Sequence, residues 1–175
     1  LSASSAPYSS YNKPIVSLMF NHALTAIQFK TGANLPSGIT IKSISFKNIY
    51  FKGKHALGTR GEHAWTVDQT QKRDFTLALN YASDGTAGKE ITTPDNTFFL
   101  FPQALPSEAV LEVTMMINGQ LKTLKKAING KTWKQGEKIV YNLSSSKITQ
   151  ETFTLEAVAT GSANYDGSGN ISYTV

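Results

Sequence analysis

Apolar and polar residues alternate with a period of two along most of this chain, a pattern that suits half-buried strands with one face on a core and the other in water. The clearest run is AVLEVTMMIN, where Leu111, Val113, Met115 and Ile117 share one face and Glu112 and Thr114 the other. It ends in Asn118-Gly119. Both central residues of a type I′ turn need positive φ, which asparagine and glycine accept, so QLKTLKKAI is expected to return antiparallel. That register sets Val113 opposite Leu124 and Ala109 opposite Ile128. The alternation recurs at Phe75, Leu77 and Leu79, at Ile139, Tyr141 and Leu143, at Phe153 and Leu155, and at Ile171, Tyr173 and Val175.

Three segments depart from the simple pattern. In ITIKSISF the apolar phase changes, with Ile39 and Ile41 on one face and Ile44 and Phe46 on the other, which a bulge near Ser43 would reconcile. TFFLF (Phe98, Phe99, Leu100, Phe101) is apolar on both faces and reads as a central strand covered on both sides, stopped by Pro102. FNHALTAIQF fits two templates, a helix through Phe20, Ala23, Leu24 and Ile27 or a strand facing Ala23, Thr25, Ile27 and Phe29 inward. Residues 34–38, 52–63, 80–90, 103–108 and 165–170 carry the glycine, proline and asparagine of loops. Many short strands between such turns indicate a β-sandwich.

With 175 residues the chain suits a single core. It is 40% hydrophobic and 17% charged, which leaves ample apolar surface to bury and argues against disorder. There is no cysteine, so disulfide frameworks, zinc ribbons and thiol chemistry are excluded. No apolar run approaches the ~18 residues of a membrane-spanning helix. The opening LSASSAPYSSYNK lacks the basic-then-apolar layout of a signal peptide, and a first residue other than methionine suggests a piece of a longer precursor.

The net charge of +5 concentrates in residues 120–138, where Lys122, Lys125, Lys126, Lys131, Lys134 and Lys138 face only Glu137. Beside Trp133 these lysines could suit phosphates, but lysines on an edge strand also deter edge-to-edge aggregation. Arg60 and Arg73 are the only arginines, against the guanidinium-rich habit of nucleic-acid readers, so no nucleic-acid partner is expected.

Catalytic and metal constellations are weak. His55 and His63 share a glycine-rich stretch with Glu62, a conceivable two-histidine, one-carboxylate site in an unsuitable spacing, while His22 suits a structural role. GKHALGTR (residues 53–60) follows a phosphate-binding loop for several positions and then departs from it. No GxSxG elbow occurs, the acids are scattered, and YDGSGN offers only Asp166 and Asn170, which read as a turn. No catalytic, cofactor or metal residue is therefore assigned. Trp65, Trp133 and the tyrosines could form a sugar-stacking face.

VSLMFNHALTAIQFKTG, GITIKSISFKNIYFKG, Trp65, TPDNTFFLFPQ, VLEVTMMINGQLKTLKKAI and TWKQGEKIVYNLS, in that order, resemble the amino-terminal domain of the fimbrillin-like proteins of Bacteroidales over about residues 14–158. The resemblance rests on Phe20, His22 and Ala23, on Phe101, Pro102 and Gln103, on Trp133 and Gly136, and on Tyr141 and Leu143. It implies a transthyretin-like antiparallel β-sandwich of about seven or more strands with Greek-key-like connections, and assigns FNHALTAIQF to a strand. Residues 1–13 would form an extended segment, 14–160 the sandwich, and 161–175 a terminal strand, the start of a further domain, or a donor.

The function implied is that of a non-catalytic cell-surface fimbrial subunit or adhesin, exported to the outer membrane as a lipoprotein. Its partners would be other subunits, joined by β-strand addition, with host glycans or proteins as adhesive ligands. TFFLF or the sandwich edges would line the acceptor groove. A lipid anchor would need a segment outside this chain, and neither Arg60 nor Arg73 takes the family's processing role. The alternative is a secreted, monomeric carbohydrate- or host-ligand-binding sandwich using exposed aromatics.

Overall fold

The computed structural model describes residues 22–57, 63–144, 154–165 and 171–174. Phe20, Arg60, Glu62, Asp166, Asn170 and the extended segment expected over 1–13 lie outside them.

The turn chemistry of Asn118-Gly119 builds the firmest element. Both residues take positive φ, at 49° and 78°. Strand β8 (Val110–Ile117) alternates strictly between buried and half-buried positions. It returns through β9 (Gln120–Ala127) with Val113 opposite Leu124, and the Ile128 N–H donates to the Ala109 carbonyl. The expected hairpin register is therefore present.

Strand β2 (Ser37–Tyr50) pairs with β8 on one side and β5 (Lys72–Asp84) on the other. Both ladders shift register between Ile41 and Ser43, so the expected bulge is there. It turns Ile39, Ile41, Ile44 and Phe46 all into the core despite their change of phase. The result is a four-stranded antiparallel sheet in the order β5-β2-β8-β9.

The ambiguous amino-terminal segment is strand from Thr25 onward, β1 (Thr25–Thr31), with residues 22–24 leading into it. It is buried along nearly its whole length because it lies inside a sheet, between β6 (Phe98–Leu100) and β11 (Glu137–Ser144). β1 runs parallel to β11, the one parallel pairing among the described strands. β12 (Thr154–Tyr165) and β13 (Ile171–Thr174) complete a five-stranded sheet in the order β13-β12-β11-β1-β6. β12 is continuous through residue 160.

Two short ladders flank the sheets: β3 (Gly53–Leu57) with β4 (His63–Val67), and β7 (Gln103–Ala104) with β10 (Thr132–Trp133). Residues 52–63, expected as a loop, thus supply β3 and the first residue of β4. The run near 80–90 likewise begins as the end of β5.

The fold is an all-β sandwich whose core is a cluster of aromatic rings between the sheets. Phe46 of β2 meets Phe29 of β1 at 5.9 Å, Phe98 of β6 at 4.9 Å and Trp133 at 5.2 Å between centroids. The last two contacts are edge-to-face, the arrangement the ring quadrupoles favour. Trp133 is 1% exposed and donates its Nε1–H to the Tyr141 hydroxyl at 3.2 Å. The indole therefore belongs to the core and offers no sugar-stacking surface.

TFFLF is also corrected. β6 is the outer strand of its sheet, not a central one, with Phe98 and Leu100 facing inward and Phe99 49% exposed. A short apolar run is compatible with burial on both faces or with an edge that keeps one face open, and periodicity does not separate the two.

Candidate functional site

Among the described residues, the open edges of the sandwich follow from the strand order: β5 and β9 border one sheet, β6 and β13 the other. On β9, Lys122 and Lys126 share the alternation of the inward-facing Leu124, and Lys125 pairs with Glu112 at 2.8 Å. Charges placed this way make a second strand costly to add, because addition would strip water from them. Lys138, counted with the same basic run in the sequence, instead lies on β11 in the opposite sheet, where burial lowers its pKa. The basic segment is therefore divided between the two layers.

β5 is guarded in the same way by Arg73. Its backbone pairs with Ile49, two residues before the pair of Phe75 with Phe46, and both Ile49 and Phe46 are fully buried. Arg73 thus occupies the core-facing side of β5, at its open end. β6, by contrast, is Phe-Phe-Leu, without a charge.

An apolar cleft of about 510 Å³ lies against β6, within the range of ligand-sized sites. Phe99, Leu100 and Phe101 form one wall, with Phe51, Phe75 and Arg73 from the other sheet. Trp65 of β4 and the His22–Leu24 segment leading into β1 complete it. Trp65 is held firmly: its Nε1–H donates to the Ala23 carbonyl at 2.6 Å, and its ring meets Phe101 edge-on at 4.5 Å and His55 at 4.7 Å. The β3–β4 hairpin is thereby pinned as one side of the cleft.

The motif residues singled out in the sequence have physical roles around this cleft. Pro102 follows β6, and Gln103 takes over where the ladder stops. Its buried amide accepts from the Tyr50 N–H at 3.1 Å and donates to the Tyr50 and Phe101 carbonyls at 3.0 Å each, which fastens the rim. Gly136 has φ of +70° and donates its N–H to the Leu24 carbonyl, seating the start of β1. Tyr141 and Leu143 are buried core residues of β11.

Of the histidine set considered in the sequence, His55 packs against Trp65 with the rings tilted by 38°, His63 pairs across the ladder with Leu57, and Glu62 lies outside the described residues. Among the described residues no group of three histidines or carboxylates could hold a metal ion, and no helix is long and apolar enough to cross a membrane. Gly53 to Leu57 of the phosphate-loop-like stretch is strand.

A family model described as fimbrillin-like matches residues 1–158. The chain belongs to the fimbrillin-like family. Two solved structures share the fold of this fimbrillin-like chain at 16% identity. A candidate cell adhesion protein from Bacteroides ovatus aligns with TM-score 0.54, covering 83% of this chain and 46% of that one. A candidate cell adhesion protein from Bacteroides uniformis aligns with TM-score 0.52, covering 83% and 52%. The chain thus spans about half the length of these structures. No curated protein matches it.

The sequence contained the parts of the cleft but not their meeting. Its lining comes from five stretches, 22–24, 51, 65, 73–75 and 99–101, and only the topology joins them. Trp65 and Phe101 stand out in the sequence as individual residues, and Arg73 only through the rarity of arginine.

Proposed function

We propose that this chain is a non-catalytic subunit of a cell-surface fimbria, or a fimbrillin-like adhesin, that joins its neighbours by β-strand addition at the β6 edge. Membership of the fimbrillin-like family supports the class, as do the similar folds of two proteins described as candidate cell adhesion proteins. The observation that carries the mode of assembly is the contrast between edges. β5 and β9 bear exposed cations at the core-side positions of their alternation, whereas β6 and β13 carry no charge, and of these two β6 exposes Phe99 and borders the apolar cleft. Residues 14–160 would act as the subunit domain, with 161–175 beginning a further unit or serving as a donor. Outer-membrane anchoring would come from a lipidated segment elsewhere in the precursor.

Immunogold labelling of producing cells with antibody against this chain tests the class. Label along filaments or at their tips supports it, and label confined to the interior of sectioned cells overturns it. A second reading, a monomeric carbohydrate-binding module, is favoured only by Trp65 at the cleft, since Trp133 is buried. Glycan-array binding lost in Trp65→Ala, by a chain that stays monomeric at all concentrations, would establish that reading instead.

A further inference from the structure

Arg73 is placed unlike any other cation described in this chain. It faces the core side of β5, in register with fully buried Ile49, yet stands at the open mouth of the cleft among Phe51, Phe75, Phe99 and Phe101. Among the described residues its side chain makes no ion pair or hydrogen bond, and no acidic residue lines the cleft. The nearest acids in sequence and pairing are committed elsewhere. Asp74 binds Lys47 and the Asn48 N–H, and Glu108 binds Lys72 and Ser107.

An edge needs only a compact charge to deter pairing, and β9 uses lysine for that. Arginine is one of only two in a chain with 17 basic residues. Its planar fork differs from an ammonium in holding a carboxylate through two parallel hydrogen bonds while its face lies against aromatic rings. Aromatic walls with one cation and no anion complement a ligand that is apolar and acidic at once. The side of β6 that no described strand pairs with, lying beside them, suits an extended peptide over a compact small molecule.

We propose that the segment received at the β6 edge carries a large apolar side chain for the aromatic cleft and, two residues away on the same face, a carboxylate that Arg73 binds. This rests on strand addition at β6 and adds the chemistry of the partner. Alternate side chains of an added strand face the same way about 7 Å apart, so ring and acid enter the cleft together. An incoming strand with a cation at that position is rejected, which gives the site a direction and a choice among donors.

The test uses two blocked octapeptides, TLTFTETK and its counterpart TETFTLTK, in which the order of ring and acid along the strand is reversed, each against the version with glutamine for glutamate. Binding is read by Trp65 emission, with buried Trp133 as a constant background. At least one glutamate peptide is expected to bind about fivefold more tightly than its glutamine version, the upper range for a solvent-accessible ion pair. Arg73→Gln is expected to erase that difference while leaving the thermal midpoint unchanged. Equal binding of glutamate and glutamine peptides overturns the carboxylate assignment but leaves strand addition at β6 standing. Binding of neither, in the wild-type chain, removes both. Binding of 4-phenylbutyrate as tight as the best peptide overturns the proposal in favour of a small-molecule site.

Discussion

Among the described residues only two large apolar side chains are substantially exposed, Phe99 at 49% and Leu121 at 63%, and they lie on opposite sheets. The edge argument gives them different fates. Phe99 sits on uncharged β6 beside the cleft, so an added strand would cover it, whereas Leu121 sits on β9 next to Lys122. Threonine in place of Phe99 keeps strand propensity while removing the ring. A phenylalanine offers about 200 Å² in all, so about 100 Å² remains to be covered on assembly. At ~25 cal/mol/Å² that is about 2.5 kcal/mol, or about 60-fold in the association constant. The half already buried contributes a similar amount to the monomer as an upper limit, so Phe99→Thr lowers the thermal midpoint by at most about 10 °C in a chain of this size.

Sedimentation velocity over a range of concentrations, well below both midpoints, measures the association. Phe99→Thr is expected to weaken it by about the factor above, and Leu121→Thr to change it by less than about twofold, as a surface substitution away from any contact should. If Leu121→Thr weakens assembly as much as Phe99→Thr, or Phe99→Thr assembles like the parent, the distinction between guarded and open edges is wrong.

Other outcomes test the fold beneath the site. Phe46→Ala removes the ring that meets Phe29, Phe98 and Trp133 across the sheets and should cost about 3–5 kcal/mol, seen as a fall of about 10 °C or more in the calorimetric midpoint. Gly119→Ala places a Cβ in open space but at φ of +78°, so a loss of about 1 kcal/mol, read as a lower urea midpoint, would come from backbone strain alone. The Glu108 carboxyl is held at about 2, chiefly by its hydrogen bond from Lys72 and then by that from Ser107. A depressed folded-state pKa stabilises above the unfolded value and ceases to as pH falls through about 2. NMR titration should therefore show Glu108 ionised down to that pH, and Lys72→Met should return it toward the ordinary carboxylate range.

What was legible in the sequence was local or periodic. Asn118-Gly119 specifies its turn through φ, and once the turn is set the register of β8 and β9 follows, down to Val113 opposite Leu124. The phase change between Ile41 and Ile44 likewise has one economical solution, the bulge that both ladders of β2 share. β1 was ambiguous because a strand buried on both faces has no alternation to display, and its neighbours β6 and β11 are about 70 and 110 residues away in the chain. The same remoteness hid β6 as an edge and Trp133 as core. Their residue types suited both environments, and sheet order made the choice. The glycine-rich character of 52–63 concealed β3 because Gly53 lies where its Cβ would meet the Thr66 carbonyl at 2.7 Å, so the glycine permits a close ladder instead of breaking one.

The outer face of the four-stranded sheet explains why association should be confined to an edge. Lys47 reaches Asp74 at 3.0 Å and Glu112 at 3.7 Å, and Lys125 reaches Glu112 at 2.8 Å. Ser45 and Thr76, and Thr114 and Thr123, close hydrogen bonds across the same strands at 2.8 and 3.0 Å. These groups are already satisfied in water, and a partner laid over them would remove solvent from several charges without offering better bonds. On β9 and β5 the inward cations impose a related cost. β6 carries neither obstacle: no strand among the described residues pairs with its outer side, its side chains gain from being covered, and Gln103 and Trp65 hold the cleft in shape before anything arrives. On the proposed reading, a sheet protected on its face and at both of its edges turns a partner strand toward the second sheet, where the cleft beside β6 distinguishes that edge from β13, the other uncharged one, because the alternatives on the first sheet cost more.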